Sequence, residues 1–521
     1  MRNLTTTNRW IWFSITIIFL LPSLFHCYWN PKDSVDFLFW GILASSILTG
    51  IVISIPYRLV RWIVYSMLFV FSLFELAHML VYEGDLASAG FIRSLFMTTP
   101  YEADGAVLRI IKQHIEIISC IAIFYLIVSV QIWLTTPMPT RKTNVFIGIM
   151  IVVFTIPYFL FPQKVFTPPT NVYTQIKEAV SQFQERSNET PLGDNFIYHA
   201  YRNHTPQNKE VYILVLEESV RYKNISLNNP NVRTTTPRLE QEKNIVSYTD
   251  YYANGVFTMY AVPMIVTRAT PESFIINYRE KGVQQAYSET GFRTYWLTNE
   301  AQMANDGVSQ YITRGAEIIS AKNDLEIPSK IDSLLSINEK IFIIVHLWGN
   351  HQFYFNSQHS TAVYYPNVTT STDVQGEEMY RNSYDNCILC MDSIMYAITS
   401  LLKEEECVAQ WVLVSDHGEG KINKNGGAHG YAHPTKDEYH VPLMVWYSDE
   451  YAAAYPNKVA NMIKHKDEPV CGDHVFWSVL DIAGIEIDSI LQEEGMSIFG
   501  DSLRPHQRTL LLPDGKTVMQ L

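Results

Sequence analysis

The hydrophobic residues of this chain crowd into its first third as long unbroken runs and occur as short, evenly spaced runs afterwards. Five early runs, at 10–28, 35–55, 59–81, 115–134 and 145–161, are long enough to cross a bilayer as helices, which takes about 20 residues. The first lacks a small-residue cleavage site and is followed by further spans, so it reads as a retained helix rather than a leader. The short connections set the orientation. Arg2 and Arg9 precede the first span, Arg58 and Arg61 lie between the second and third, and Arg141 and Lys142 lie between the fourth and fifth. Basic residues stay on the cytoplasmic side. The amino terminus is therefore expected in the cytoplasm. An odd number of spans then places everything after Phe161 outside, in the periplasm where the cell has two membranes.

The segment 172–187 has the apolar spacing of a surface amphipathic helix, and a polar stretch continues from it to about 208. Beyond that, apolar runs of strand length recur at 211–216, 294–297, 341–346, 411–415 and 441–446, with helical stretches between them. Strands alternating with helices predict a mainly parallel sheet covered by helices on both faces. The expected organisation is a five-helix anchor over 1–165, an amphipathic bridging helix and linker over 166–208, and an α/β domain over 209–521.

Net charge narrows the partners. At −13 over 521 residues, the chain lacks the clustered Lys and Arg that a nucleic-acid backbone requires. The apolar runs hold few charges, chiefly Arg61 and Glu75, which argues against an ion pathway. Six cysteines leave room for a disulfide or two in an oxidising compartment. The CxxC of Cys387 and Cys390 lies in a helical stretch without a second pair, and reads as packing rather than a redox site.

Three of the strand runs end in residues suited to chemistry. VYILVLEESVR brings Glu217 and Glu218, IFIIVHLWGNH brings His351, and WVLVSDHGEG brings Asp416 and His417. Ligands of open α/β sheets gather at the carboxyl ends of strands, so these groups read as a metal site. Their oxygen and nitrogen donors suit zinc, with manganese the weaker candidate. Taken singly, a Glu or His after a strand is usually an ordinary loop residue. Asp-His-Gly says more, because the glycine permits a tight turn that aims both side chains at one point. His346 lies within a strand and reads as a core residue, and His433 and His440 are lesser candidates.

Taken in order, the motifs carry a resemblance. VSDHGE, the later His429 in KINKNGGAHGYA, and HVPLMVW resemble the phosphoethanolamine transferases of the alkaline-phosphatase and sulfatase superfamily. So do LEESVR, VRTTTPRL, NGVFTMYAVPMIVTRATP with Thr258 five residues before Pro263, HLWGNH, and SYDNCILCMDSIM. GFIRSLFMTTPYEA, ending in Glu102 and Ala103, resembles a loop of the same family's anchor. Where the lipid A-modifying branch has cysteines flanking the nucleophile segment, this chain has Asn254 and Met264, and VTRATPE is closer to the branch that modifies core heptose.

The resemblance implies an alkaline-phosphatase-like fold for the second domain. It implies zinc held by Glu218, Thr258, Asp416 and His417 in one tight site, with a second, substrate-linked ion as an option. Thr258 would be the nucleophile, and His351 and His429 would bind the phosphate, one of them protonating the leaving diacylglycerol oxygen. Asn299, directly after the strand run TYWLTN, is a candidate contact for the donor headgroup, with an ordinary loop role as the alternative. The implied reaction moves phosphoethanolamine from phosphatidylethanolamine to a lipopolysaccharide or other envelope glycolipid through a phospho-threonine, in a monomer of the inner membrane. The rival readings are a glycerophosphate transferase of the lipoteichoic-acid synthase type, a sulfatase-like hydrolase or phosphodiesterase, and a catalytically dead scaffold. DHGE rather than Asp-His-Tyr-Gly disfavours the first, and the missing Cys/Ser-x-Pro-x-Arg motif disfavours a sulfatase.

Overall fold

The computed structural model describes residues 6–32, 34–97, 111–134, 145, 149, 170–188, 196–206, 209–299, 312–337, 339–351, 365–366, 376–423, 426–504 and 507–521. Two compact units emerge, one of early helices and one built on a sheet.

The helical unit contains α1 (Thr6–Trp29), α2 (Ser34–Ser54), α3 (Arg58–Val81), the short α4 (Ala89–Met97) as far as Ile92, α5 (Ile115–Leu134) and α6 (Thr170–Asn188) as far as Phe183. Four of them, α1, α2, α3 and α5, are long and apolar enough to cross a membrane. They meet through Ile15 and Phe19 of α1, Val52 of α2, Tyr65 and Phe69 of α3, and Val128 and Ile132 of α5. Their outward faces are apolar too, with Phe13, Phe39, Met67 and Leu126 exposed. Helices that are hydrophobic all round belong in lipid or a large core. The expected fifth span at 145–161, and Glu102 and Ala103, lie outside the described residues or nearly so. The amphipathic α6 packs back into this unit. Asn171 Nδ2 donates to Glu75 Oε1 and Oε2 at 3.1 and 3.2 Å, and the Ala87 N–H donates to Glu75 Oε1 at 2.9 Å. Glu75 is thus a satisfied buried carboxyl that joins α3 to α6.

The second unit is organised around a sheet of seven strands. These are β1 (Glu210–Glu217), β2 (Ile245–Ser247), β3 (Arg293–Asn299), β4 (Glu317–Ala321), β5 (Lys340–His346), β6 (Val408–Ser415) and β7 (Leu443–Tyr447), in spatial order β2-β7-β6-β1-β5-β3-β4. All neighbours run parallel except at β7, which is antiparallel to both β2 and β6. Every residue of β1 is buried, because both faces of the sheet are covered. Tyr212, Leu214 and Leu216 join one cluster, with Val262 and Ile265 of α7 (Thr258–Val266) and Phe476 of α11 (Asp473–Ile482). Val211, Ile213 and Val215 alternate into the other, against Ile331 of α9 (Ile327–Leu335) and Ile388, Met391 and Met395 of α10 (Glu377–Glu404). The short helix α8 (Gln284–Glu289) adds Ala286 and Tyr287 to the first cluster. This two-sided burial is why the strands read as continuous apolar runs. Each fully buried Val, Leu or Ile contributes about 1.5–3 kcal/mol.

The five strand runs read from the sequence are β1, β3, β5, β6 and β7; the first four are extended by a residue or more, and the last starts two residues later and ends one residue later than its run. The edge strands β2 and β4 escaped that reading. Cys387 and Cys390 are buried in the α10 face of the core, as packing residues, and all six cysteines are free thiols.

Candidate active site

β6, β1 and β5 are adjacent and parallel, so Asp416 and His417, Glu218, and His351 leave the sheet at one edge. The chain turns sharply after β1. Ser219 has φ +61°, a left-handed conformation that costs a non-glycine residue roughly 1–2 kcal/mol. Four hydrogen bonds hold that turn in place. Ser219 Oγ donates to Glu218 Oε1 at 2.7 Å, its N–H donates to Asp416 Oδ1 at 3.1 Å, the Tyr384 hydroxyl donates to its carbonyl at 2.6 Å, and the Val220 N–H donates to Ser415 Oγ at 2.8 Å. Tyr384 is the tyrosine of the Tyr-Asp-Asn helix noticed in the sequence.

Four donor groups converge on one point. His417 Nδ1 lies 3.2 Å from the Gly418 carbonyl, so that nitrogen carries the proton and Nε2 is left as the acceptor. Nε2 stands 3.3 Å from Glu218 Oε1, 3.4 Å from Asp416 Oδ2 and 3.4 Å from Thr258 Oγ1. Thr258 Oγ1 donates to Glu218 Oε2 at 3.1 Å. Glu218, Asp416 and His417 are buried, and Thr258 is half-buried at the first residue of α7.

Burial, then the neighbouring Asp416, pushes the Glu218 carboxyl well above its usual range. Burial lowers His417 to about 4, which keeps its imidazole neutral. Asp416 Oδ2 is buried and accepts no hydrogen bond. Carboxylates so crowded in a dry pocket call for a cation. Two carboxylates, a neutral imidazole and a hydroxyl form a donor set that fits zinc. The three ligand atoms from Glu218, Asp416 and His417 lie within 4.8 Å of one another.

The two other expected histidines flank this cluster. The His429 ring centroid is 4.0 Å from that of His417, and its Nδ1 lies 3.5 Å from Glu419 Oε1. Burial, then the nearby His351, lowers His429 to about 4. His351 is half-buried, its N–H donates to the Trp348 carbonyl at 3.1 Å, and its ring centroid is 4.4 Å from that of Trp348.

The remaining candidates lie elsewhere. Asn299 is fully buried and donates through Nδ2 to Asp324 Oδ1 at 2.9 Å. His346 is a core residue, lying edge-on to Trp296, and burial lowers it to about 4. His433 is exposed. His440 stacks on Tyr222 with centroids 4.2 Å apart, and its Nε2 lies 3.1 Å from the Thr249 carbonyl.

Sequence reasoning missed two supporting acids. Glu438 accepts the N–H groups of Gly430 at 2.8 Å and Tyr431 at 3.2 Å on one oxygen, and those of the Thr435 backbone at 2.7 Å and hydroxyl at 3.3 Å on the other. It fixes the turn that presents His429. Thr-x-x-Glu at 435–438 is a helix capping signature and was there to be read. In the same turn Gly430 has φ +79°, and a Cβ there would come 2.2 Å from Phe257 Cζ. Only glycine lets the His429 turn lie against the residue before Thr258. The second acid, Asp324, left no pattern in the sequence.

Comparison with known proteins places the fold and the family. Phosphoethanolamine transferase EptA of Escherichia coli O157:H7 is 26% identical over 331 residues, covering 56% of this chain and 58% of that protein. Matched stretches span between 43% and 58% of the curated relatives, so the chain spans about half the length of the relatives it matches. Among solved structures, the integral membrane protein lipooligosaccharide phosphoethanolamine transferase A (EptA) from Neisseria meningitidis superposes with a TM-score of 0.73 at 16% identity, over 96% of this chain and 99% of that one. The C-terminal periplasmic domain of EptC from Escherichia coli, in complex with Zn, gives 0.53 at 19% identity, over 62% of this chain and 95% of that one. These likenesses establish an alkaline-phosphatase-like α/β fold joined to a helical membrane unit. The sulfatase family matches residues 210–485, more than half of the chain, and the protein therefore belongs to the sulfatase family.

Proposed function

We propose that the protein transfers phosphoethanolamine from phosphatidylethanolamine to a hydroxyl or phosphate of an envelope glycolipid, through a phospho-threonine on Thr258. The observation that carries this reading is the placement of Thr258. Its hydroxyl lies 3.1 Å from Glu218 Oε2 and 3.4 Å from His417 Nε2, at the start of a helix. The first N–H groups of a helix have no intrahelical acceptor and favour phosphate oxygens. The same transferase activity is carried in the names of EptA and EptC, and an EptC domain was solved with zinc.

Glu218, Thr258, Asp416 and His417 would hold a zinc ion. When bound, zinc stabilises a deprotonated hydroxyl and the charge that gathers on phosphoryl oxygens. In the first half-reaction Thr258 Oγ1 forms a bond to the donor phosphorus, its proton leaves toward Glu218, and the bond from phosphorus to the diacylglycerol oxygen breaks. His351 and His429 hold the phosphoryl oxygens. One of these two histidines gives the leaving diacylglycerol oxygen its proton. In the second half-reaction the acceptor oxygen forms its bond to phosphorus and gives its proton to the histidine that lost one, the bond from phosphorus to Thr258 Oγ1 breaks, and Thr258 takes back the proton held by Glu218. Both lipids are amphiphiles, and a domain tethered to membrane helices meets them at raised effective concentration. The protein acts as a monomer of the inner membrane, its catalytic domain in the periplasm. Asn254 and Met264 at the nucleophile segment favour core heptose over lipid A as the acceptor.

Intact-mass measurement of the purified chain in detergent, after incubation with short-chain phosphatidylethanolamine, tests the intermediate. A phosphoethanolamine adduct is expected on the Thr258 peptide and is expected to vanish in Thr258→Ala. An adduct on another residue, or full transfer by Thr258→Ala, would overturn the assignment. Mass spectra of envelope glycolipids from cells with and without the protein identify the acceptor.

A further inference from the structure

A second cluster of ligating side chains lies outside the active site, at the start of α11. Cys471, Asp473 and His474 are all buried. Their atoms form a small triangle: Cys471 Sγ to Asp473 Oδ1 is 3.0 Å, Sγ to His474 Nδ1 is 3.6 Å, and Nδ1 to Oδ1 is 3.4 Å. We propose that Cys471, Asp473 and His474 form a second metal site, for a thiolate-seeking divalent cation such as zinc.

The geometry suits such an ion. Tetrahedral zinc, with bonds of about 2.3 Å to sulfur and about 2.0–2.1 Å to nitrogen and oxygen, holds its ligand atoms roughly 3.3–3.6 Å apart. Two of the three separations are of that size. The shorter one is what a thiol proton shared with Asp473 produces. Without a cation the sulfur shares its proton with Asp473 Oδ1 across 3.0 Å. Cation binding forms the metal–sulfur bond and releases that proton to solvent. The Cys471 N–H, now 3.2 Å from His474 Nδ1, gives up this contact to the metal.

A separate observation points to the same place. The Tyr251 hydroxyl is fully buried and has no hydrogen-bond partner among the described residues. Tyr251 pairs with Val470 in a short parallel ladder, which brings its backbone beside the cluster. An orphaned buried phenol costs about 1–3 kcal/mol, and a bound cation or its water gives it a partner.

The site would brace the segment that leads to Thr258. The Asp473 N–H donates to Asn254 Oδ1 at 2.9 Å, Asn254 Nδ2 donates to the Thr509 carbonyl at 2.9 Å, and the Gly472 N–H donates to the Tyr252 carbonyl at 3.1 Å. This role is independent of the transfer reaction proposed above.

X-ray absorption at the zinc edge, on the full chain purified in detergent and loaded with zinc, tests the site. Glu218, Thr258, Asp416 and His417 offer only oxygen and nitrogen, so sulfur in the first shell must come from elsewhere. A sulfur scatterer at about 2.3 Å is expected in the natural chain and in His417→Ala. It is expected to disappear in Cys471→Ser, with the loss of one metal equivalent. Should Cys471→Ser fail to fold, His474→Ala, which keeps the thiol, is expected to lower the sulfur signal and metal content. Absence of sulfur from the natural chain, or sulfur unchanged in Cys471→Ser, overturns the site and leaves the transfer reading untouched.

Discussion

Asn299 and Asp324 are joined by a hydrogen bond of 2.9 Å between two buried side chains. Asp324 also accepts the Trp348 N–H at 3.1 Å and the Gly349 N–H at 3.0 Å, and so anchors the turn that delivers His351. Gly349 has φ +51°, and a Cβ there would come 2.2 Å from Glu217 Oε1. Asp324→Ala strands two buried N–H groups, at about 1–3 kcal/mol each. It is expected to lower the unfolding midpoint and to cut transfer about tenfold or more. Asn299→Ala should show the same pattern more weakly. A raised KM with unchanged stability in Asn299→Ala would instead mean direct contact with the headgroup.

Removing the cation should cost stability as well as activity. Without it, Glu218 and Asp416 face each other in a buried pocket. A chelator is expected to lower the unfolding temperature at neutral pH, and zinc to restore it. Thr258→Ala should keep most of its metal while losing transfer, because three ligands remain. Metal analysis beside a transfer assay checks this, and loss of all metal from Thr258→Ala would remove the distinction.

Glu438 links the His429 turn to pH. Burial pushes its carboxyl from 4.5 up to about 8, against the pull of its hydrogen-bond donors. Between those values the native chain keeps a proton that the unfolded chain has lost. Its contribution to stability is therefore full below the ordinary glutamate range and falls as pH rises through about 8. Denaturation across pH 5 to 9 is expected to show this decline in the natural chain and to lack that part of it in Glu438→Gln. Glu438→Ala is expected to slow transfer by freeing the turn that carries His429.

Tyr384→Phe tests the loop that carries Glu218. The hydroxyl donates to the Ser219 carbonyl at 2.6 Å and accepts the Arg221 N–H at 2.8 Å. Losing both should destabilise the chain by about 1–3 kcal/mol and reduce metal affinity. Unchanged metal affinity would show that Ser219 keeps its left-handed turn without help.

The inner strands and the residues that cluster beyond them were legible for different reasons. β1 and β6 are buried on both faces, so each is a solid apolar run that no solvent-facing segment matches. The edge strand β4 is mostly exposed and β2 is three residues long, so neither has a run to detect. Glu218, Asp416 and His417 follow such strands directly, and their place on the sheet edge follows from strand position. Thr258 needed its family motif, because a hydroxyl at a helix start is common. Strand-end logic makes Asn299 a candidate for the headgroup or an ordinary loop residue, and the structure shows its Nδ2 donating to Asp324, a partner 25 residues away that no local pattern announces. The role of Glu438 likewise depends on which backbone groups fold around it.

The donors of the active site come from distant parts of the chain. Ser219 and Asp416, which meet in one hydrogen bond, are 197 residues apart, and Thr258 and His417 are 159 apart. A chain emerging from its amino end therefore presents Glu218 and Thr258 long before Asp416 and His417 exist to complete the set. Half a site of this kind, still hydrated and unbraced, has little hold on a cation. If these residues hold zinc as proposed, capture of the ion would be the closing event of maturation, and an interrupted chain would lack the complete set of ligands.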